Sequence, residues 1–197
     1  MTVQSPVARQ SALPVDPVFP ARWSPRAYTD ATMTAEQMTV LLEAARWAPS
    51  AMNLQPWRMA WALRGETGFD AILSGLVPFN RGWAEKASAL VVFASKDEMT
   101  GMDGETKTNV WAGFDTGAAW MSLALQAAKV GLYAHGMGGF DPKALAEALN
   151  LPAGHTIHAV AAVGYIGAPE SLPEGLRERE VPSDRLEMAE IAFHGSF

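Results

Sequence analysis

Hydrophobic residues recur along this chain with two periods, and the switches between them predict the elements. Met38, Leu41, Leu42 and Ala45 keep a helical spacing behind Thr34-Ala35-Glu36-Gln37, where threonine at the cap and glutamine three residues on form a capping box. The helix must stop before Pro49. Trp57–Leu63 alternates bulky and small residues as a strand does. Phe69, Ile72, Leu73 and Leu76 predict a short second helix. Residues 89–94 are a continuous apolar run of strand length, the pattern of a central strand, and residues 157–166 form another. Between these, Asp141-Pro142 opens a helix with aspartate at the cap and proline in the first turn. Residues 77–83 read as a loop, and the polar stretch 96–106, with Gly101 and Gly104, as a mobile one.

The longest predicted helix runs from about residue 107 to residue 130. Val110, Phe114, Ala118, Met121, Leu125 and Ala128 share one face, and Trp111, Ala119, Trp120 and Leu123 carry apolar character round most of the rest. Thr108, Asp115, Ser122 and Lys129 leave a narrow polar stripe, so the helix is either central or shared with a second subunit. Gly131 fits its C-terminal cap. Leu186, Met188, Ile191 and Phe193 give the chain end apolar positions with which to dock.

Composition narrows the class. Nearly half the 197 residues are hydrophobic and mean hydropathy is +0.02, so a core can be buried; no apolar run reaches the roughly 20 residues of a membrane span. The net charge of −6 argues against nonspecific nucleic-acid binding. Absence of cysteine excludes disulfides, thiolate nucleophiles and cysteine-ligated metals, and fits a cytoplasmic location. Residues 1–20, with Pro6, Pro14, Pro17 and Pro20, read as an extended or disordered arm without a signal pattern; residues 21–197 read as one domain. Seven tryptophans suit a core, a flat aromatic ligand or a large interface.

Two polar clusters remain. Arg22 and Arg26 flank Ser24: guanidiniums and a hydroxyl are donors for a phosphate monoester, although the same segment could be a solvated turn. Residues 49–57 hold Ser50, Asn53 and Gln55 between Pro49 and Pro56, as either a stiff binding loop or polar filler. The glycines of Met137-Gly138-Gly139 admit close approach of a flat ligand or a phosphate, or make a simple turn. Asn80 could bind a ligand edge or its own backbone. Arg177, Arg179 and Arg185, offset by Glu170, Glu174, Glu178, Glu180 and Asp184, read as a solvated face. No nucleophile elbow, P-loop or zinc motif is present, His158 suits a core hydrogen bond, and a cofactor would have to supply any chemistry.

In order and spacing these pieces resemble the FMN-dependent nitroreductase family: Arg22-x-Ser24-x-Arg26, the helix ending in 48–57, Phe79-Asn80, Asp115-Thr116-Gly117-Ala118-Ala119, and Gly131-Leu132 leading to Met137-Gly138-Gly139-Phe140-Asp141. The likeness covers about residues 22–166. It implies an α+β fold, a central, mostly antiparallel sheet wrapped by helices, in an intertwined homodimer with two FMN sites at the interface and the tail 168–197 packed on the dimer. It implies that Arg22, Trp23, Ser24 and Arg26 hold the phosphate and the pyrimidine edge. Pro49, Ser50 and Asn53 would serve the partner's flavin, and Asn80 its pyrimidine side. The backbone of Met137, Gly138 and Gly139 would lie near N5, and Arg185, or else Arg179, on the phosphate. The implied activity passes two electrons from NADH or NADPH through FMN to a nitroaromatic, quinone or similar small oxidant, by a ping-pong route. Other branches dehalogenate, fragment flavin or oxidise heterocycles, and a flavin-sequestering protein would keep the fold without turnover. The sequence departs from the family at Trp23, where histidine or arginine is common, and at Gly138 and Trp83, where better-known members carry glutamate and lysine.

Overall fold

The structure, a computed structural model, describes residues 9–197. Its centre is a four-stranded antiparallel sheet in the order β1 (Trp57–Leu63), β2 (Ala89–Lys96), β6 (His155–Gly164), β5 (Tyr133–Met137). The apolar runs at 89–94 and 157–166 therefore become the two inner strands, where both faces are covered. On β2, Leu90, Val92 and Ala94 face one core layer while Ala89, Val91 and Phe93 face the other. The first layer holds α3 (Thr67–Ser74), α4 (Pro78–Ala84), α6 (Pro142–Ala148) and the tail helix α7 (Glu174–Arg177); the second holds α2 (Ala35–Arg46) and α5 (Ala112–Lys129). This is the α+β architecture the resemblance implies.

Local chemistry sets several boundaries as read from sequence. Thr34 and Gln37 form both bonds of the capping box on α2, and Asp141 accepts from the backbone of Lys143 and Ala144. Gly131, at φ +78°, ends α5 in the left-handed conformation, and the amide of Leu132 returns to the Ala127 carbonyl.

Other expectations are corrected. Residues 78–84 are a helix: Val77 is extended, Pro78 supplies the first turn, and Trp83 and Ala84 turn into the core. Residues 96–106 contain most of a hairpin, β3 (Glu98–Thr100) with β4 (Thr106–Thr108), closed by Gly104 at φ +82° and a Lys107–Asp103 ion pair. Its strands present no continuous buried face, so no alternation marks them. Helix α5 starts at Ala112 because β4 takes residues 106–108 and Asn109 accepts the Trp111 amide in a turn. Its buried face is Ala112, Asp115, Thr116, Ala119, Leu123, Ala124 and Ala127; Val110, just before it, and Phe114 are 77% and 78% exposed. In the arm, α1 (Val18–Ala21) replaces extended chain, while Pro6 lies outside the described residues. Leu186, Met188, Ile191 and Phe193 are exposed in the single chain. His158 does bond its sheet neighbour, Nε2 to Ser95 Oγ at 2.8 Å, but from an exposed position beside the register shift between β2 and β6. Among the described residues no helix is long and apolar enough to cross a membrane.

Candidate functional site

The chain after α1 runs extended past the end of β5, and the C-terminal tail returns beside it. Between them lies a cavity of about 390 Å³ with Arg9, Arg22, Arg26, Arg179 and Arg185 in its wall, together with Ser24 and His135. Arg22 donates to Ser24 Oγ at 3.3 Å. Among the described residues, none of Arg9, Arg22, Arg179 and Arg185 has a carboxylate within 4.0 Å. Burial, then the charges of Arg9 and Arg185, lower the Arg22 pKa; burial and Arg185 do the same to Arg9. Asp184 offsets part of this at Arg9, but guanidiniums that repel one another with no carboxylate in contact are the arrangement that could hold a multiply charged anion.

Arg9 is a member that the sequence did not reveal, since it sits in a stretch read as a tail. Its guanidinium is fixed by three carbonyls: Nε donates to Pro20 at 3.0 Å, Nη1 to Ser183 at 2.8 Å, and Nη2 to Arg22. It thereby ties the arm, the Arg22 segment and the tail together. No local pattern announces such a residue, because its partners are distant backbone oxygens.

His135 was also missed. Alternation along β5 turns Tyr133, His135 and Met137 to one side, where Tyr133 meets Trp23 edge-on and His135 packs 4.6 Å from Trp83. Burial pushes its pKa down to about 4, against an opposing bond between Nδ1 and the Pro25 carbonyl at 3.0 Å; Arg26 and Arg22 lower it further. The ring is neutral at pH 7, with Nδ1 carrying the proton that the carbonyl accepts.

Trp83 joins this region to the glycine segment. It is 2% exposed, stacks on Tyr28 and lines, with Arg26 and Gly82, a second cleft of about 270 Å³. One turn back along α4, Asn80 donates through Nδ2 to the Gly139 carbonyl at 3.0 Å. A Cβ on Gly139 would meet that Nδ2 at 2.7 Å and Val77 Cγ2 at 2.9 Å, so any side chain just beyond β5 would have to displace Asn80 and Val77. At Gly138 a Cβ would meet nothing within 4 Å, which leaves an open face where the resemblance leads one to expect a side chain. Met137 itself points into the core and offers only backbone.

Among the described residues, four buried side-chain polar atoms lack hydrogen-bond partners: Trp23 Nε1, Arg26 Nε, Trp83 Nε1 and Glu180 Oε2. All four belong to residues lining these two recesses or touching Arg26. Three of the four are donors, each costing about 1–3 kcal/mol when left unpaired, and their concentration here is what a region that receives a polar ligand would show. Glu180 corrects the reading of the tail as a solvated face. It is 2% exposed and accepts the amides of Arg26 and Ala27.

The loop at 49–57 lies elsewhere. Pro49, Ser50 and Asn53 do not line the arginine cavity. A short turn at Ala51–Asn53 sits against α5, the Ala51 amide donating to Asp115 Oδ2 at 3.1 Å, and Ser50 Oγ accepts the Gln55 amide at 3.0 Å. Met52, Asn53 and Gln55 all have left-handed backbones, at φ 51°, 55° and 49°. Asparagine tolerates this conformation; methionine and glutamine do so at a cost.

The same framework occurs in proteins already known. A solved structure described as an oxidoreductase containing FMN superposes with a TM-score of 0.93 at 43% identity, covering 96% of each chain. An uncharacterised 15.4 kDa protein of Mycolicibacterium smegmatis is 36% identical over 138 residues, 66% of this chain and 90% of that one. An NADH dehydrogenase of Thermus thermophilus is 29% identical over 193 residues, 84% of this chain and 90% of its own length. The nitroreductase family model matches residues 20–73 and 66–165, most of the chain. The capped helix, the arginine segment and the strand that presents Gly138 all fall inside that match, and the chain belongs to the nitroreductase family.

Proposed function

We propose that this flavin-oxidoreductase family member binds FMN and transfers two electrons from NADH or NADPH to a nitroaromatic, a quinone or a similar small oxidant. The observation that carries the reading is the convergence of five arginines on one cavity, whose His135 packs on Trp83 of the helix that also holds the glycine segment through Asn80. A phosphate dianion matches the first part, and a flat ring edge matches the second. The FMN of the 43%-identical oxidoreductase supports the same assignment.

Arg22, Ser24, Arg185, Arg179 and Arg9 would hold the phosphate, with bidentate guanidinium contacts supplying most of the affinity. Arg26 would place positive charge at the pyrimidine edge. Asn80 spends Nδ2 on Gly139, so its amide oxygen is the group left to accept an imide N–H. Trp83 and His135 would form an aromatic floor, to which the neutral His135 adds no charge. FMN, when bound, supplies hydride acceptance and donation at N5 in a ping-pong cycle, and no side chain need act as general base.

The region works as a homodimer in this reading. Val110, Trp111 and Phe114 are exposed at the start of α5, where the Ala51 amide of the 49–57 loop bonds Asp115, and Leu186, Met188, Ile191 and Phe193 of the tail are uncovered as well. A second copy would cover both, and Ser50 and Asn53 would then reach its flavin. Residues 21–197 act as one domain in this reading, and the protein is cytoplasmic.

The test compares FMN with riboflavin. Purified protein is expected to be yellow and to bind FMN at least roughly 100-fold more tightly than riboflavin, the margin expected of a desolvated charge-assisted phosphate site. Equal affinity for the two, or colourless protein that ignores added FMN, would overturn the assignment. Steady-state oxidation of NADH and NADPH with menadione or a nitrofuran then separates turnover from flavin sequestration.

A further inference from the structure

One buried charge plays no part in holding the phosphate. Glu180 lies in the tail, yet its carboxylate is enclosed beneath the Arg22–Arg26 segment. Oε1 accepts two amides at once, Arg26 N at 2.6 Å and Ala27 N at 2.7 Å. Oε2 has no hydrogen bond and stands 3.9 Å from Arg26 Nη1. The neighbours of Glu180 in sequence, Arg179 and Val181, line the cavity, as do Ser183 and Arg185. Thus the tail forms one wall of the cavity, held at one end by Glu180 and at the other by the bond from Arg9 to the Ser183 carbonyl.

A buried carboxylate is expensive to desolvate and is retained where several polar groups require it. Here one oxygen satisfies two amides of the opposing wall. The other places a negative charge against the guanidinium assigned to the pyrimidine edge. Arg26 is the one cavity arginine with such a counter-charge among the described residues; the other four have none within 4.0 Å.

Resting on the FMN reading above, we infer that Glu180 is a positioning residue with two separable effects: its hydrogen bonds lock the tail wall to the Arg22–Arg26 wall, and its charge attenuates the positive field of Arg26 at the flavin. Two-electron reduction adds negative charge to the ring, which an undiminished Arg26 would favour. The native carboxylate therefore holds the potential of bound FMN below the value that Arg26 alone would set.

Glu180→Gln and Glu180→Ala in the full-length protein separate the two effects. Glutamine keeps an acceptor oxygen for both amides and removes the charge. Alanine removes both. The expected result for Glu180→Gln is an FMN dissociation constant within about fivefold of wild type, as for a neutral acceptor replacing a charged one, and a higher midpoint potential of bound FMN. An unchanged or lower potential would overturn the charge effect. Glu180→Ala is expected to weaken FMN by roughly tenfold or more, because two amides lose their acceptor. It should also speed hydrogen exchange at the Arg26 and Ala27 amides and across residues 177–185 in the FMN-free protein. Wild-type exchange rates in Glu180→Ala would overturn the locking effect without reference to flavin. Failure of wild-type protein to bind FMN, with exchange still accelerated in Glu180→Ala, would remove the FMN reading and leave the lock in place.

Discussion

The arginine cavity and the 49–57 loop are both polar and both sit at the edge of the core, but they are finished to different degrees within one chain. In the cavity, each wall is held by bonds between residues far apart in sequence: Arg9 to Ser183, Glu180 to Arg26, His135 to Pro25. The loop's Ser50–Asn53 part is held by short-range bonds, such as Ser50 to Gln55, and by one bond to α5, while its far end is tied to the sheet where the Pro56 carbonyl accepts the Lys96 amide. Met52 is 70% exposed on a left-handed backbone, beside an uncovered apolar surface. Within one chain the cavity walls are tied together across the sequence while the loop leaves exposed side chains beside uncovered apolar surface, the contrast expected if, as proposed, the loop acts on a neighbouring copy.

Four measurements would break or sharpen that contrast. Phe114→Asp places a charge on the uncovered surface and should have the largest effect. The expected outcome, if the proposed dimer shares its sites, is a monomer by sedimentation that has also lost FMN. A monomer that retains wild-type FMN affinity would show that the loop serves no neighbouring site.

The second concerns acid. His135 is neutral in the fold, with its pKa pushed from 6.5 to about 4 chiefly by burial, whereas the 49–57 loop contains no histidine. As pH falls, the unfolded chain takes up this proton first, so stability is lost. The contribution is complete above about pH 6.5 and disappears as pH approaches 4, with a ceiling of about 3 kcal/mol. Denaturant melts at successive pH values should show the slope, and His135→Gln should flatten it. Glu43, held down to about 2 chiefly by its bond with Arg46, loses its own contribution only below about pH 4.5, so the upper part of the window belongs to His135.

Arg22→Ala should weaken FMN by about 2 kcal/mol, roughly thirtyfold, while leaving the thermal stability of FMN-free protein unchanged or raised, because one member of a repelling cluster is removed. A large loss of stability without loss of FMN affinity would make Arg22 structural. The smallest effect is expected for Met52→Gly. Glycine accepts φ 51° without a Cβ conflict, so relief of strain offsets the greater freedom of the unfolded chain and stability rises by up to about 1 kcal/mol. A decrease would show that the Met52 side chain holds the loop in place.

Legibility in the sequence followed the range of the forces involved. Strand β1 and the caps of α2 and α6 were readable because each depends on residues a few positions apart. Helix α4 was not: its residues include Asn80 and Gly82, poor helix formers, and burial of Trp83 and Ala84 against the sheet outweighs that preference. Helix α5 was placed correctly along most of its length, but its apolar character all round left open which face its own chain covers. Its small residues pack inward and Asp115 turns in to meet Ala51, while Phe114 faces out. Hydrophobicity alone cannot tell a face covered by its own chain from one left for another. The resemblance named Arg22, Ser24, Arg26 and Arg185, and the fold brings all four to one cavity. Arg9, His135 and Glu180 escaped because their partners are backbone atoms or rings distant in sequence.

By itself, then, the sequence determined the inner strands, the helix caps, the lack of thiol chemistry and the family. These follow from periodicity, steric rules and residue identity, which are properties of short segments. Only the tertiary structure decided that arm and tail would close on one another, that a glutamate in an acidic run would be buried beneath Arg26, and that the guanidiniums would share one cavity. The desolvation and charge repulsion that give these residues their character exist only once the sheet has brought the two ends of the chain together.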